Sequence, residues 1–359
     1  MTNMLLLPYT RGGLVLKNHL VMAPMTRSRA IGNIPNELMA EYYGQRSSAG
    51  LIITEGTAPA PEGLGYPRIP GIFSDAQVEG WRKATDAVHA GKSRLFVQLM
   101  HTGRIGHVDN LPEGKVVVGA SSVKAAGQIY TDKGGMQDYS VPVALSTEGV
   151  KSVIREFVNA ARMAMSAGFD GVEVHGANGY LVEQFLNPNV NTRSDVYGGS
   201  VERRAAFALE IVKGVADAIG KERVGIRFSP YNTFGDMQPY PEAEVHETYR
   251  YLAQEMEKIG IVYLHIAVGP QMAKKTLDAF RAAYTGTIIQ CNGLTPETAE
   301  AALRGGFADL VAFGKSFLAN PDLDRRIAEN KELNPFDVAT FYTPGAKGYV
   351  DYPKMNYLL

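Results

Sequence analysis

The chain has 359 residues and a mass of 39.0 kDa, 45% hydrophobic and 20% charged. That excludes a disordered, collagen-like or coiled-coil chain and suffices for a large core without disulfides or metals. With 36 basic and 37 acidic residues the net charge is −1, so no nucleic-acid partner is expected. The one cysteine, Cys291, excludes an intramolecular disulfide, a multi-cysteine zinc site and an iron–sulfur cluster. No run approaches the ~18 apolar residues of a membrane span, and Met4–Leu7 stops at Pro8, too short for a signal-peptide core. A cytoplasmic protein without membrane contact is expected.

Short apolar, β-branched runs then succeed one another: HLVMAP (19–24), GLIITEG (50–56), RLFVQLM (94–100), FDGVEVHG (169–176), VGIRFSP (224–230), VYLHIAV (262–268), TIIQCNG (287–293) and DLVAFG (309–314). Each reads as a strand buried on both faces of a parallel sheet. Between them lie helical patterns. Val150, Val153, Ile154 and Phe157 recur after Ser146, and Phe207, Ile211, Val215 and Ile219 after Ser200. Tyr249, Leu252, Met256 and Ile259 form a third stripe, and Thr295-Pro296 opens a short helix that ends at Gly305. Eight βα units without a composition break predict one (β/α)8 TIM-barrel domain over residues 1–359. An open, doubly wound sheet is the alternative, although its glycine-rich fingerprint is missing where the first strand ends in APMTRS. Residues 101–145 lack a helical period and carry strand-like pieces, KVVVGA and QIYT, among glycine turns. They predict a long excursion with a small hairpin after the third strand, either a lid on the C-terminal face or a decoration.

Catalytic groups of such barrels sit at the C-terminal strand ends. That rule selects Pro24, Met25 and Thr26; Glu55, Thr57 and Ala58; Gln98 and His101; Glu173, His175, Asn178 and Tyr180; Arg227; Asn292–Gly293; and Gly314–Lys315. The glycines after strands seven and eight permit close backbone approach to a phosphate, and Lys315 adds charge; plain tight turns are the competing reading. In HGANGY (175–180), His175 and Asn178 can donate to one carbonyl oxygen while Tyr180 delivers a proton; a hydrogen-bonded structural histidine competes. Arg227 and Gln98 are polar residues inside apolar strands. Either a polar cofactor satisfies both, or Arg227 pairs with Glu173 or Glu55.

These residues carry a resemblance to the Old Yellow Enzyme family of flavin-dependent ene-reductases. It runs from LVMAPMTRSRA (20–30) through GLGYPRIPGIFSDAQVEGW (63–81), VQLMHTGR (97–104) and AGFDGVEVHGANGYLVEQFLNPNVNTRSDVYGGS (167–200). GIRFSP (225–230), LVAFGKSFLANPDL (310–323) and KGYVDYP (347–353) complete it. The resemblance implies a single FMN-binding barrel reduced by NADH or NADPH. Pro24, Met25 and Thr26 would lie along the flavin, with a backbone contact at Ala58. Gln98 would bind its pyrimidine ring, Arg227 would sit near N1, and Gly293, Gly314 and Lys315 would hold its phosphate. His175 and Asn178 would bind the substrate's activating oxygen, Tyr180 would be the proton donor, and Tyr66, Met100 and Tyr342 would line the substrate mouth.

Two positions depart from the family pattern. Lys315 replaces an arginine, keeping the charge without the bidentate fork. Met100 replaces a tryptophan, trading a rigid ring for a flexible thioether. The implied reaction is ping-pong reduction of activated C=C bonds, with enones, enals, maleimides, nitro compounds and nitrate esters as candidate oxidants. The protein is expected to be a monomer or homodimer acting on small molecules. A flavin-free phosphate-binding lyase or isomerase barrel, and a non-catalytic flavin-binding protein, are the alternatives.

Overall fold

Eight parallel strands close on themselves in the computed structural model, which describes residues 3–355. They are β1 (Leu20–Met22), β2 (Leu51–Thr57), β3 (Arg94–Leu99), β4 (Gly171–Gly176), β5 (Val224–Phe228), β6 (Tyr263–Ala267), β7 (Thr287–Cys291) and β8 (Leu310–Phe313). Each pairs with the next and β8 pairs with β1. Closure leaves no sheet edge and sets aside the open-sheet alternative. Every strand falls on its predicted run.

Alternation along the strands divides the core in two. Residues such as Val97, Val172, Ile226, Leu264 and Val311 face outward and pack under the helices. Val21, Leu51, Phe96, Tyr263, Ile289 and Leu310 face inward and fill the barrel. Gly225 makes room there, since a Cβ would lie 2.2 Å from the Tyr263 ring. The longer helices are α1 (Glu37–Gln45), α2 (Asp75–Ala90), α3 (Thr147–Ser166), α4 (Val201–Ile219), α5 (Glu242–Ile259), α6 (Lys274–Ala283) and α7 (Pro296–Arg304). Ser146, Ser200 and Thr295 cap α3, α4 and α7 by accepting from the backbone N–H of Gly149, Arg203 and Thr298.

Three features complete the shell. An antiparallel hairpin, Tyr9–Arg11 with Leu14–Leu16, inserts Leu14 and Leu16 among the inward-facing residues and plugs the barrel; the strand runs did not foretell it. Between β3 and α3 the chain carries a second hairpin, Gln128–Thr131 with Gly135–Asp138. The C-terminal segment folds back over residues 27–46, tied down by buried arginines. Arg27 donates to the Gly348 carbonyl at 2.7 Å and Arg29 to that of Thr340 at 2.8 Å. Tyr349 stacks on Tyr42 with ring centroids 4.0 Å apart.

Candidate active site

Inward-facing positions are apolar toward the plugged end, and Gln98, Glu173, His175, Arg227 and His265 bring polar groups inward toward the C-terminal end. Register places Gln98 beside Glu173, and Arg227 between His175 and His265. Gln98 Nε2 donates to Glu173 Oε1 at 2.7 Å, and His265 Nδ1 meets Glu173 Oε2 at 2.8 Å. Arg227 Nη1 meets His265 Nε2 at 2.6 Å and Cys291 Sγ at 3.0 Å. Guanidinium has no lone pair, so His265 Nε2 must accept and the ring proton sits on Nδ1. Burial and Arg227 oppose a charge on His265, while Glu173 and Cys291 favour one and tip its pKa above the usual histidine value; the short contact with an obligate donor nevertheless requires the neutral ring. Burial would raise the Glu173 carboxyl, but His265 and Arg227 hold it below the usual range, so it is ionised. Burial also opposes a Cys291 thiolate, and the Arg227 guanidinium and His265 beside it outweigh burial, lowering the thiol below its usual range.

Arg227 thus has no direct hydrogen bond to either carboxylate proposed from sequence. Glu173 reaches it through His265. Glu55 turns to the helix layer after a β-bulge in β2, accepting from the Tyr43 hydroxyl and the Arg27 N–H. What remains for a ligand is Arg227 Nε, buried and without a partner among the described residues, together with Nη2, which makes no hydrogen bond to them either. His101 Nε2, just past β3, is likewise buried and unpartnered.

The turn after β4 is built by residues that tolerate positive φ: Asn178 at 56° and Gly179 at 78°. A Cβ on Gly179 would lie 2.6 Å from the Phe234 carbonyl. One buried carboxyl anchors this turn. Glu183 accepts from the Gly179 N–H at 2.6 Å, and from Ser229 Oγ, Asn232 Nδ2 and the Tyr249 hydroxyl. Ser229 Oγ in turn accepts from the Asn178 N–H at 2.8 Å. Burial pushes Glu183 up to about 7.

His175 is buried, and its Nδ1 accepts from the Ala177 N–H at 3.3 Å, which puts the ring proton on Nε2. Burial, then Arg227 and His265, hold its pKa well below the usual histidine value, so it is neutral at physiological pH. Its ring meets Tyr180 edge-on at 5.0 Å. The Tyr180 phenol, pushed up to about 12 by burial, donates to the Tyr66 hydroxyl at 3.1 Å.

Above lies a cavity of about 740 Å³, whose walls include Thr26, Tyr66, Tyr180, Phe234 and Tyr342. Arg68 braces its rim, donating to the carbonyls of Ser28 and Tyr342 and pairing with Asp132 at the tip of the second hairpin. Met100 is not in that wall. It is buried behind Tyr180 in a cluster with Ala58, Leu64 and Ile105, its sulfur filling the space over Gly56. Ala58 is wholly buried; its N–H donates to the Pro70 carbonyl and its own carbonyl accepts from Ile72. Pro24, Met25 and Thr26 follow β1, half-buried. A Cβ on Gly314 would touch the Met25 sulfur at 3.4 Å, so the ends of β1 and β8 adjoin. Gly293, at φ 65°, faces open space. Lys315 opens the helix Lys315–Ala319, exposed, its ammonium 5.0 Å above the Phe336 ring.

His265, Cys291, Glu183 and Ser229 were missed from sequence. For His265 a signal existed, a polar residue at an alternate position of an apolar run, as for Arg227.

The model of the NADH:flavin oxidoreductase / NADH oxidase family matches residues 4–334. The chain is 41% identical to 12-oxophytodienoate reductase 1 of Oryza sativa subsp. japonica over 360 residues, covering 97% of this chain and 92% of that one. Among solved structures, morphinone reductase in complex with tetrahydroNAD matches at 40% identity and a TM-score of 0.94, covering 98% of each chain. The old yellow enzyme homologue of Zymomonas mobilis matches at 38% identity and a TM-score of 0.93, covering 97% of this chain and 99% of that one. The chain therefore belongs to the NADH:flavin oxidoreductase / NADH oxidase family, the Old Yellow Enzyme family, and is an FMN-dependent, NAD(P)H-driven oxidoreductase of the ene-reductase type.

Proposed function

We propose that the 740 Å³ cavity receives NAD(P)H and then an alkene conjugated to a carbonyl or nitro group. A single cavity used by both makes the kinetics ping-pong. The observation that carries this reading is the pairing of a neutral His175, its Nε2–H left to donate, with a Tyr180 phenol that stays protonated at a cavity wall.

The residues fit FMN. An unpartnered, buried Arg227 N–H suits the electron-rich pyrimidine edge of a flavin, and the open left-handed Gly293 loop suits its phosphate. Arg227 and Gln98 would hold the ring, Gly293, Gly314 and Lys315 the phosphate, and Pro24, Met25 and Thr26 the flavin flank. Ala58, its N–H already committed, would contribute its methyl and the second lone pair of its carbonyl. When bound there, FMN would supply the two-electron chemistry that links oxidation of NAD(P)H to reduction of the alkene at its β-carbon.

His175 Nε2–H and the Asn178 amide donate to the substrate oxygen and stabilise the charge that develops on it. Tyr180 gives its proton to the α-carbon. Tyr66, already bonded to Tyr180, rotates its hydroxyl to donate to the phenolate and returns the proton from the cavity side. Tyr342 closes the mouth, and Met100 shapes it from behind Tyr180.

The test is the visible spectrum of purified protein under anaerobic conditions. The flavin band should bleach with NADPH or NADH and return when a cyclic enone such as 2-cyclohexenone is added. Bleaching without return by any enone, maleimide or nitroalkene would leave a flavin-binding protein that is not an ene-reductase. A protein that stays colourless after incubation with FMN would overturn the cofactor assignment.

A further inference from the structure

Gln98 on β3 and Arg227 on β5 do not bond to each other. One carboxylate joins them. Glu173, on β4 between the two strands and wholly buried, accepts from Gln98 on one oxygen and from His265 on the other. His265, on β6, accepts Arg227 Nη1 on its second nitrogen. We propose that Glu173 and His265 are positioning residues, which fix the orientation of Gln98 and the charge around Arg227 and thereby set the reduction potential of the bound flavin. The inference rests on the placement of Gln98 and Arg227 against FMN given above.

Two physical arguments support it. A side-chain amide has two orientations of nearly equal shape, and only its hydrogen-bond partners distinguish them. A carboxylate accepts and cannot donate, so Glu173 obliges Gln98 to turn its nitrogen inward, leaving Oε1 and one N–H for a ligand. Arg227 is held likewise. Its Nη1 hydrogens go to His265 and Cys291, which leaves the Nε and Nη2 edge of the guanidinium as the unpartnered donors among the described residues. The second argument is charge. The Glu173 anion partly compensates the Arg227 cation in a desolvated barrel. Without it, a ligand that gains electrons beside Arg227 is stabilised more.

The experiment uses the FMN-loaded protein and reads the midpoint potential of bound flavin, with the affinities for oxidised and reduced FMN. In Glu173→Gln the potential should shift positive, the ratio of reduced to oxidised affinity rising on the order of tenfold. A cluster that merely fills the barrel would change thermal stability and leave that ratio alone. An unchanged potential in folded, loaded Glu173→Gln overturns the inference. Should that variant not fold, His265 decides. The amide nitrogen and oxygen of His265→Gln can serve both contacts and should restore the wild-type potential, whereas His265→Leu severs the link and should move it. Equal potentials in the two overturn the inference. An Arg227→Ala holoenzyme with wild-type potential would remove the flavin placement and the link together. A shift in Arg227→Ala with none in Glu173→Gln would remove the link alone.

Discussion

Burial reinforces the neutral states of Tyr180, the proposed proton donor, and His175, the proposed oxygen-binding imidazole. A phenol held up near 12 remains an acid at neutral pH, and a histidine held far below its usual range remains a neutral donor. Replacing Tyr180 with Phe removes the proton and keeps the ring against His175. Stopped-flow should show alkene reduction slowed at least about tenfold, with flavin reduction by NAD(P)H retained; equal losses in both half-reactions would contradict the assignment. Glu183 makes a pH prediction. Its carboxyl and that of Glu55 are both raised to about 7 by burial. Between about pH 4.5 and about 7 the folded state therefore holds protons that the unfolded chain releases. The stability these two groups contribute is fully present below that window and is lost as pH rises through it, by up to about 3 kcal/mol for each group. Glu183→Gln should flatten the fall in Tm across the window, and a wild-type Tm flat from about pH 5 to about pH 7.5 would refute the shifts. The HGANGY string was legible because its residues are contiguous. Glu183 was not, because its partners lie in the turn after β4, in the loop after β5 and on α5, and no local pattern announces them.

At the scale of elements, the cavity wall is assembled from pieces far apart in sequence. Tyr66 follows β2, Phe234 follows β5, and Tyr342 belongs to the C-terminal segment. Arg68 connects that segment to the second hairpin through the Tyr342 carbonyl and Asp132. Arg68→Ala should loosen this rim. We expect KM for a large enone to rise about tenfold, the scale of a lost hydrogen-bonded charge, with FMN affinity unchanged. Steady-state kinetics and a flavin titration check both halves, and an unaltered KM would show the rim to be rigid without Arg68. The hairpin itself was readable from QIYT and the glycine turn after it. Its attachment was not, since Arg68 and Asp132 are 64 positions apart.

For the molecule as a whole, stability and chemistry occupy opposite ends of the barrel. Leu14 and Leu16 plug one end, and the polar cluster lies toward the other. Leu16→Ala should cost about 2–5 kcal/mol in denaturant unfolding and leave the spectrum of the folded holoprotein as it was; a changed flavin band would mean that the two ends are coupled. The amino-acid order by itself determined the succession of βα units, the strand ends and the residues displayed there. Strands and helices are read from periodicities of neighbouring residues, and a parallel barrel carries its strand ends to one face. Only the tertiary structure decided that Gln98, Glu173, His265, Arg227 and Cys291 form one hydrogen-bonded cluster, that Met100 packs in a buried cluster with Tyr180, and which nitrogen of His175 and of His265 carries its proton. Those outcomes depend on which side chains meet across the closed barrel, and that follows from closure and register rather than from any local stretch of chain.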